Sequence, residues 1–202
     1  LDNLSLEIPE ISINLVMGPS GSGKSTLLNI LNTLDYPDDP GGIIIIDNES
    51  AEHSTFEADS IRSNKIGILF QKDNLISEFT VYENLQLPFK INAVPDHYDP
   101  TSLLCEFNLE DKKNLYPDQL SSGEYQRISF LRAIMNKPLI VFADEPTANL
   151  DEENLYIMIK FIKQLKINYN MSFLIATHDE RLRDIADNIF YIKNRKLTRI
   201  NT

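Results

Sequence analysis

The chain has 202 residues, 42% hydrophobic and 24% charged, with a formal net charge of −11. That length and apolar content suit one domain able to bury a sizeable core, and they argue against disorder. The acidic balance argues against general binding to DNA, RNA or anionic lipid, so any bound anion must be held by a local site.

The single cysteine, Cys105, excludes a disulfide framework within the chain and a Cys-rich zinc site. It sits in Leu103-Leu104-Cys105-Glu106-Phe107 and reads as a buried core thiol. No apolar run approaches the roughly 18 residues that span a bilayer, and no signal peptide is visible. A reduced, cytosolic setting is the expectation.

In chain order, Ser12 to Met17 reads as a short buried strand bounded by Pro9 and Gly18. Helical spacing of Leu27, Leu28, Ile30, Leu31 and Leu34 predicts a helix over 25–34, ended by the turn-rich run 36–42. Ile43 to Ile46 and Lys65 to Phe70 are β-rich runs separated by a polar stretch that contains His53. From about Gln71 to Arg132 the pattern turns helical and carries Pro88, Pro95, Pro100 and Pro117, which predicts an inserted helical lobe. Leu139 to Ala143 and Ser172 to Ala176 are continuous buried strands, with a helix over Leu155 to Leu165 between them. Ile189 to Ile200 reads as two short strands around Asn194-Arg195. The whole predicts a single α/β domain over 1–202, with a mostly parallel sheet and some antiparallel β elements. Its core lobe would be 1–71 with 133–202, and its helical lobe 72–132.

Only seven glycines occur, and Gly18, Gly21 and Gly23 fall close together. They belong to Gly18-Pro19-Ser20-Gly21-Ser22-Gly23-Lys24-Ser25-Thr26, which matches G-x-x-x-x-G-K-[ST] between a strand and a helix. In such a loop, backbone N–H groups converge on an anion and the following helix adds its positive end. Lys24 would meet the β- and γ-phosphates of a nucleotide, and the Ser25 hydroxyl would bind Mg²⁺. Asp144 and Glu145 follow a buried strand, where ligands bind in parallel sheets. Asp144 would hold Mg²⁺, and Glu145 would act as general base on the water attacking the γ-phosphate.

These motifs, with Gln71 and the run Leu120-Ser121-Ser122-Gly123-Glu124-Tyr125-Gln126-Arg127, resemble the ATP-binding cassette ATPases over nearly the whole chain. The last run is similar to the family signature L-S-G-G-[QE]-x-Q-R. Ala148-Asn149-Leu150-Asp151 resembles the D-loop, and Ala176-Thr177-His178-Asp179 the switch-histidine region. The resemblance implies a P-loop NTPase fold, ATP and Mg²⁺ as ligands, and ATP hydrolysis. It gives Gln71 the sensing of Mg²⁺ and attacking water, and His178 a contact to the γ-phosphate. Ser121 and Gly123 would touch the ATP held by a second copy of the chain, with Glu124 and Asp151 also in the nucleotide site.

Two departures stand out. Ser122 replaces the first signature glycine, which would strain the backbone if φ there were positive. No aromatic residue that would stack on adenine is assigned upstream of Gly18.

Within the family, Phe79-Thr80-Val81-Tyr82-Glu83-Asn84-Leu85-Gln86-Leu87-Pro88 resembles the subgroup serving lipoprotein release, macrolide and peptide export, and division control. Glu124, Asn149 and Lys196-Leu197-Thr198 agree with the lipoprotein-releasing members. This resemblance implies a separate integral-membrane permease and a peripheral place on the inner face of the plasma membrane. The apolar Leu75, Ile76, Phe79 and Val81, within 73–82, either line a groove for a short permease helix or pack into the helical lobe.

Two other readings keep the fold. One is a soluble cassette ATPase working on DNA or ribosomes, which the net charge and the short span from Lys24 to Ser121 disfavour. The other is an ATP-dependent switch of a division or cell-wall complex.

Overall fold

The computed structural model describes residues 1–2, 4–35, 43–50, 56–72, 74–92, 94, 96–148 and 150–200. The expected turn over 36–42, His53, Asp73 and Asn149 lie outside the described residues.

Strand β1 (Ile13–Met17) leads into helix α1 (Lys24–Leu31). A small hairpin, β2 (Ile45–Ile46) with β3 (Glu49–Ser50), precedes α2 (Phe56–Lys65) and β4 (Ile66–Leu69). Helices α3 (Val81–Asn92), α4 (Pro100–Glu106) and α5 (Ser122–Ile134) follow, before β5 (Ile140–Asp144). The chain closes with α6 (Glu152–Tyr169), β6 (Ser172–Ala176) and the hairpin β7 (Asn188–Lys193) with β8 (Lys196–Ile200).

The main sheet has the order β4-β5-β6-β1-β7-β8, parallel throughout except for β8, which pairs antiparallel with β7. Both faces are covered, so the central strands are apolar at consecutive positions. Ile13, Leu15, Val141, Ala143, Phe173 and Ile175 face the core that also holds residues of α3 to α6. Val16, Ile140, Phe142, Leu174 and Ala176 face the other way, toward residues of α1 and α2.

The polar side chain at the centre of the main sheet is paired. The fully buried Asn14 donates to Ser12 Oγ (2.8 Å) and Phe173 O (3.0 Å), and accepts from Asn188 Nδ2 (2.8 Å). Asn170 takes the left-handed conformation that ends α6, with φ 53°. Asn194 and Arg195, with φ 50° and 63°, form the β7–β8 turn; two consecutive positive φ values match the twist of a tight hairpin.

Several expectations need correction. Cys105 is exposed: on α4 it is Leu103 and Leu104 that turn inward, with Phe107 just beyond the helix. In 43–46 only two residues form a strand, and Ile43 is 75% exposed. Leu139 is exposed and precedes its strand. The polar stretch between the two β-rich runs holds a helix, α2, which ends at Lys65, so the second strand starts only at Ile66. Among the described residues of α2, only Ala58 and Ile61 are buried apolar groups, too few for a periodic signal. His97 is half-buried and stacks on Phe89 with ring centroids 3.7 Å apart.

Candidate functional site

Parallel strands send their following loops to one edge of a sheet, and the register makes that edge level. Val16 pairs with Ala176, which also pairs with Asp144, while Leu69 pairs with Ala143. The loops carrying Gly18 to Gly23, Gln71, Glu145 and His178 therefore leave the sheet side by side.

The glycine-rich loop turns tightly, with Ser22 N donating to Pro19 O (3.2 Å). Gly18 has φ 153°, and a Cβ there would sit 2.6 Å from the Ile192 carbonyl oxygen, so no larger residue fits. Gly23 has φ 101° and caps α1 with no side-chain bond, leaving the first N–H groups of the helix without a side-chain acceptor. Lys24 is buried, and among the described residues its Nζ donates to the loop carbonyls of Gly18 (2.9 Å) and Pro19 (3.3 Å). No acid lies within ion-pair distance of it among the described residues. The Ser22 hydroxyl is buried with no hydrogen-bond partner. A buried ammonium without a carboxylate, an orphaned hydroxyl and an uncapped helix start together fit an anion such as a phosphate chain. Pro19, Ser20, Gly21, Ser25 and Thr26 are exposed around them.

Asp144 ends β5 half-buried. Glu145 follows with φ 48°, a strained value for a non-glycine residue, held by its N–H donating to Ala176 O (2.8 Å). That kink aims its carboxylate at the loop after β6. Glu145 Oε1 lies 2.8 Å from His178 Nδ1, and Oε2 accepts from Thr177 Oγ1 (3.1 Å). Glu145 and His178 are thus brought into contact. Thr177, which the sequence reading quoted only as part of a tetrapeptide, orients the carboxylate. Next to them Asp179 accepts from Thr147 Oγ1 (3.2 Å) and pairs with Arg181, whose hydrogen bonds hold the Asp179 carboxyl below its usual range despite burial. Gln71 is exposed, two residues beyond β4.

No group of three or more His, Cys, Asp or Glu among the described residues could hold a metal ion. The candidate set for Mg²⁺, Ser25, Asp144 and Gln71, holds one carboxylate, which fits a cation carried mainly by phosphate oxygens.

The signature run forms the start of α5. Ser121 caps the helix and closes a reciprocal box with Glu124: Glu124 Oε2 accepts from Ser121 N and Oγ, both 2.9 Å. Glu124 also pairs with Lys112 (3.1 Å). The Ser121 N–H holds its carboxyl below the usual range, against some burial, with Lys112 adding to the effect. Ser122 is the first residue of α5 and does not have positive φ, so the anticipated strain is absent. Gly123 is buried against Asn154 of α6. Asp151 caps α6 by accepting from Asn154 N (2.8 Å), which lowers its pKa. Ser121, Gly123, Glu124 and Asp151 thus form a second group, on the starts of α5 and α6.

The segment after Gln71 divides. Leu75 and Val81 are buried, whereas Ile76 (37%) and Phe79 (36%) are exposed. Thr80 and Glu83 form a capping interaction at the start of α3, with Thr80 N donating to Glu83 Oε2 (2.8 Å). The fully buried Asn84 accepts from Ile76 N (2.8 Å) and donates to the carbonyls of Ile76, Phe79 and Thr80 (each 3.0 Å). Tyr125 Oη accepts from Leu75 N (3.1 Å), and Arg132 donates to Asn74 O, tying this loop to α5. A cavity of about 550 Å³ opens beside the loop, lined by Phe70, Asn74, Pro88, Ser129, Arg132 and Asn136 among others.

Fold and site together define a P-loop ATPase whose signature helix falls between β4 and β5 in chain order. The ABC transporter family model matches residues 1–148. Two relatives, both named lipoprotein-releasing system ATP-binding protein LolD, are 39% identical. The one from Buchnera aphidicola subsp. Schizaphis graminum aligns over 98% of this chain and 87% of its own length. The one from Cytophaga hutchinsonii aligns over 93% and 86%. The solved ATP-binding cassette MJ0796, a dimer in a post-hydrolysis state bound to ADP and Pi, superposes with a TM-score of 0.86. It is 34% identical, covering all of this chain and 91% of that one. The chain belongs to the ABC transporter family and is an ATP-binding, ATP-hydrolysing subunit of such a transporter. No helix among the described residues is long and apolar enough to cross a membrane.

Proposed function

We propose that this ATPase powers release of lipoproteins from a membrane through a separate permease, as one of two identical chains that sandwich ATP. The observation that carries the catalytic part is the contact of Glu145 with His178 at the level of the glycine-rich loop. The names of the LolD relatives support the cargo.

In this reading the loop N–H groups, Ser22 and Lys24 bind the phosphates, and Ser25, Asp144 and Gln71 hold Mg²⁺. When bound, the cation would supply neutralisation of charge on the phosphate oxygens. Glu145 accepts a proton from the attacking water while Thr177 holds its carboxylate. His178 turns to the γ-phosphate when nucleotide is present. Ser121, Gly123 and Asp151 complete the site of the second copy, as the dimeric MJ0796 cassette supports. The exposed Phe70, Ile76 and Phe79 beside the 550 Å³ cavity form the seat for a cytoplasmic permease segment. That seat belongs to the helical lobe over 72–132 and its junction with the core lobe, and docking there places the chain on the inner face of the membrane.

The test is purification of the tagged chain from its own membranes in mild detergent. An integral-membrane subunit is expected to accompany it. The reconstituted complex is expected to free lipidated protein from vesicles only with hydrolysable ATP. Release of other cargo in place of lipidated protein overturns the assignment.

A further inference from the structure

Two short segments of this chain, the signature turn 121–124 and the Asp151 end of α6, are joined by one side chain. Asn154 Nδ2 donates to both carboxylate oxygens of Asp151, each at 3.0 Å. Because the carboxylate accepts only, the amide is fixed with its oxygen pointing away. That oxygen lies against Gly123: a Cβ built there would overlap Asn154 Oδ1 and come within 2.6 Å of Asn154 Cγ. Gly123 needs no unusual backbone angle, since its φ is not positive. Its missing side chain is therefore matched by a neighbour in the same chain. Arg127 Nε closes the turn from the other side by donating to Gly123 O (3.3 Å).

We propose that Asn154 is a positioning residue that locks the signature turn to Asp151, so that both reach the second copy as one rigid surface. This rests on the two-chain reading above. Asn154 contacts Asp151 and Gly123 rather than the glycine-rich loop of Lys24, so its loss should leave nucleotide binding there intact. What it changes is the geometry offered to the other chain.

The experiment uses the full chain carrying Glu145→Gln, with ATP-driven dimerisation followed by light scattering against protein concentration. Adding Asn154→Ala is expected to weaken the dimer by roughly 10-fold, the size of a typical coupling between contacting groups. Nucleotide affinity of the monomer should stay within about twofold, since its own loop is untouched. Alanine suits a first helical turn, and the Asp151 cap to the Asn154 backbone N–H remains. A Gly123→Ala change then separates the sources of crowding. Its cost in dimer affinity should be several-fold smaller when Asn154 is already alanine.

Equal cost in both backgrounds overturns the proposal, as does an Asn154→Ala protein that melts lower yet dimerises as the parent does. A Glu145→Gln chain that binds ATP and stays monomeric overturns the two-chain reading and this proposal with it.

Discussion

Glu145→Gln isolates proton acceptance from shape. In the folded chain Glu145 receives Thr177 Oγ1 on Oε2 at 3.1 Å and faces His178 Nδ1 from Oε1 at 2.8 Å. Glutamine can keep both links, its oxygen accepting from Thr177 and its amide donating to an unprotonated His178 Nδ1. The side chain is nearly buried, at 11% exposure, and the uncharged amide suits that environment at least as well as the carboxylate does. The backbone kink at φ 48° is unaffected. What disappears is a basic oxygen able to take a proton from water. General-base loss costs on the order of 10²- to 10⁴-fold in rate. That corresponds to about 3–5 kcal/mol on the barrier, at about 1.4 kcal/mol per tenfold. Single-turnover hydrolysis of radiolabelled ATP should show that loss. Nucleotide affinity by fluorescence titration should be unchanged, because Lys24 and the loop N–H groups lie on another strand end. A variant that hydrolyses ATP within tenfold of the parent rate refutes the assignment of Glu145 as base.

Lys24→Ala removes the buried cation that among the described residues meets two loop carbonyls, and ATP binding and turnover should both collapse while circular dichroism stays native; parental turnover would sink the phosphate-site reading. Asn84→Ala strips four hydrogen bonds from a fully buried position and leaves Ile76 N–H unpaired, costing about 2–3 kcal/mol. A melting temperature lower by roughly 4–12 °C is expected by scanning calorimetry, and a shift under 2 °C would show that water replaces the side chain.

Asp187 has its pKa lowered: burial pushes it up, but the Ile13 N–H and Lys166 outweigh burial. Its contribution is therefore present above the ordinary carboxylate range and lost as pH falls through the depressed value. Asp187→Asn should flatten the acid side of the stability profile measured by urea titration; an unchanged profile refutes the linkage. Cys105, exposed on α4, should react with a maleimide in the native state but more slowly than in urea, because the hydrogen bond to Glu110 pushes its thiol pKa up; full protection would restore the buried reading.

Local patterns in this sequence were enough to place the strands of the main sheet to within a residue or so and to single out the glycine-rich loop. Continuous apolar runs such as Ser172 to Ala176 have few other uses in a chain this polar, and G-x-x-x-x-G-K-[ST] between strand and helix combines sterics with charge at fixed spacing. Glu145 was legible from its place after a buried strand, and the signature run and Gln71 became legible only through the family resemblance. Tertiary structure decided the rest. α2 has too few apolar residues to announce itself and is held by packing of Ala58 and Ile61. Cys105 sits in an apolar stretch, but the rotation of α4 that faces Leu103 and Leu104 inward turns it out. The same logic splits Leu75 and Val81 from Ile76 and Phe79, because the Asn84 hub folds the loop so that only one side meets the core. Asn154 carried no signal: its role depends on α5 and α6 starting side by side, 31 residues apart in sequence between Gly123 and Asn154. Local sequence sets what each residue can do, whereas contacts between distant segments depend on how their helices rotate and pack, which no local pattern encodes.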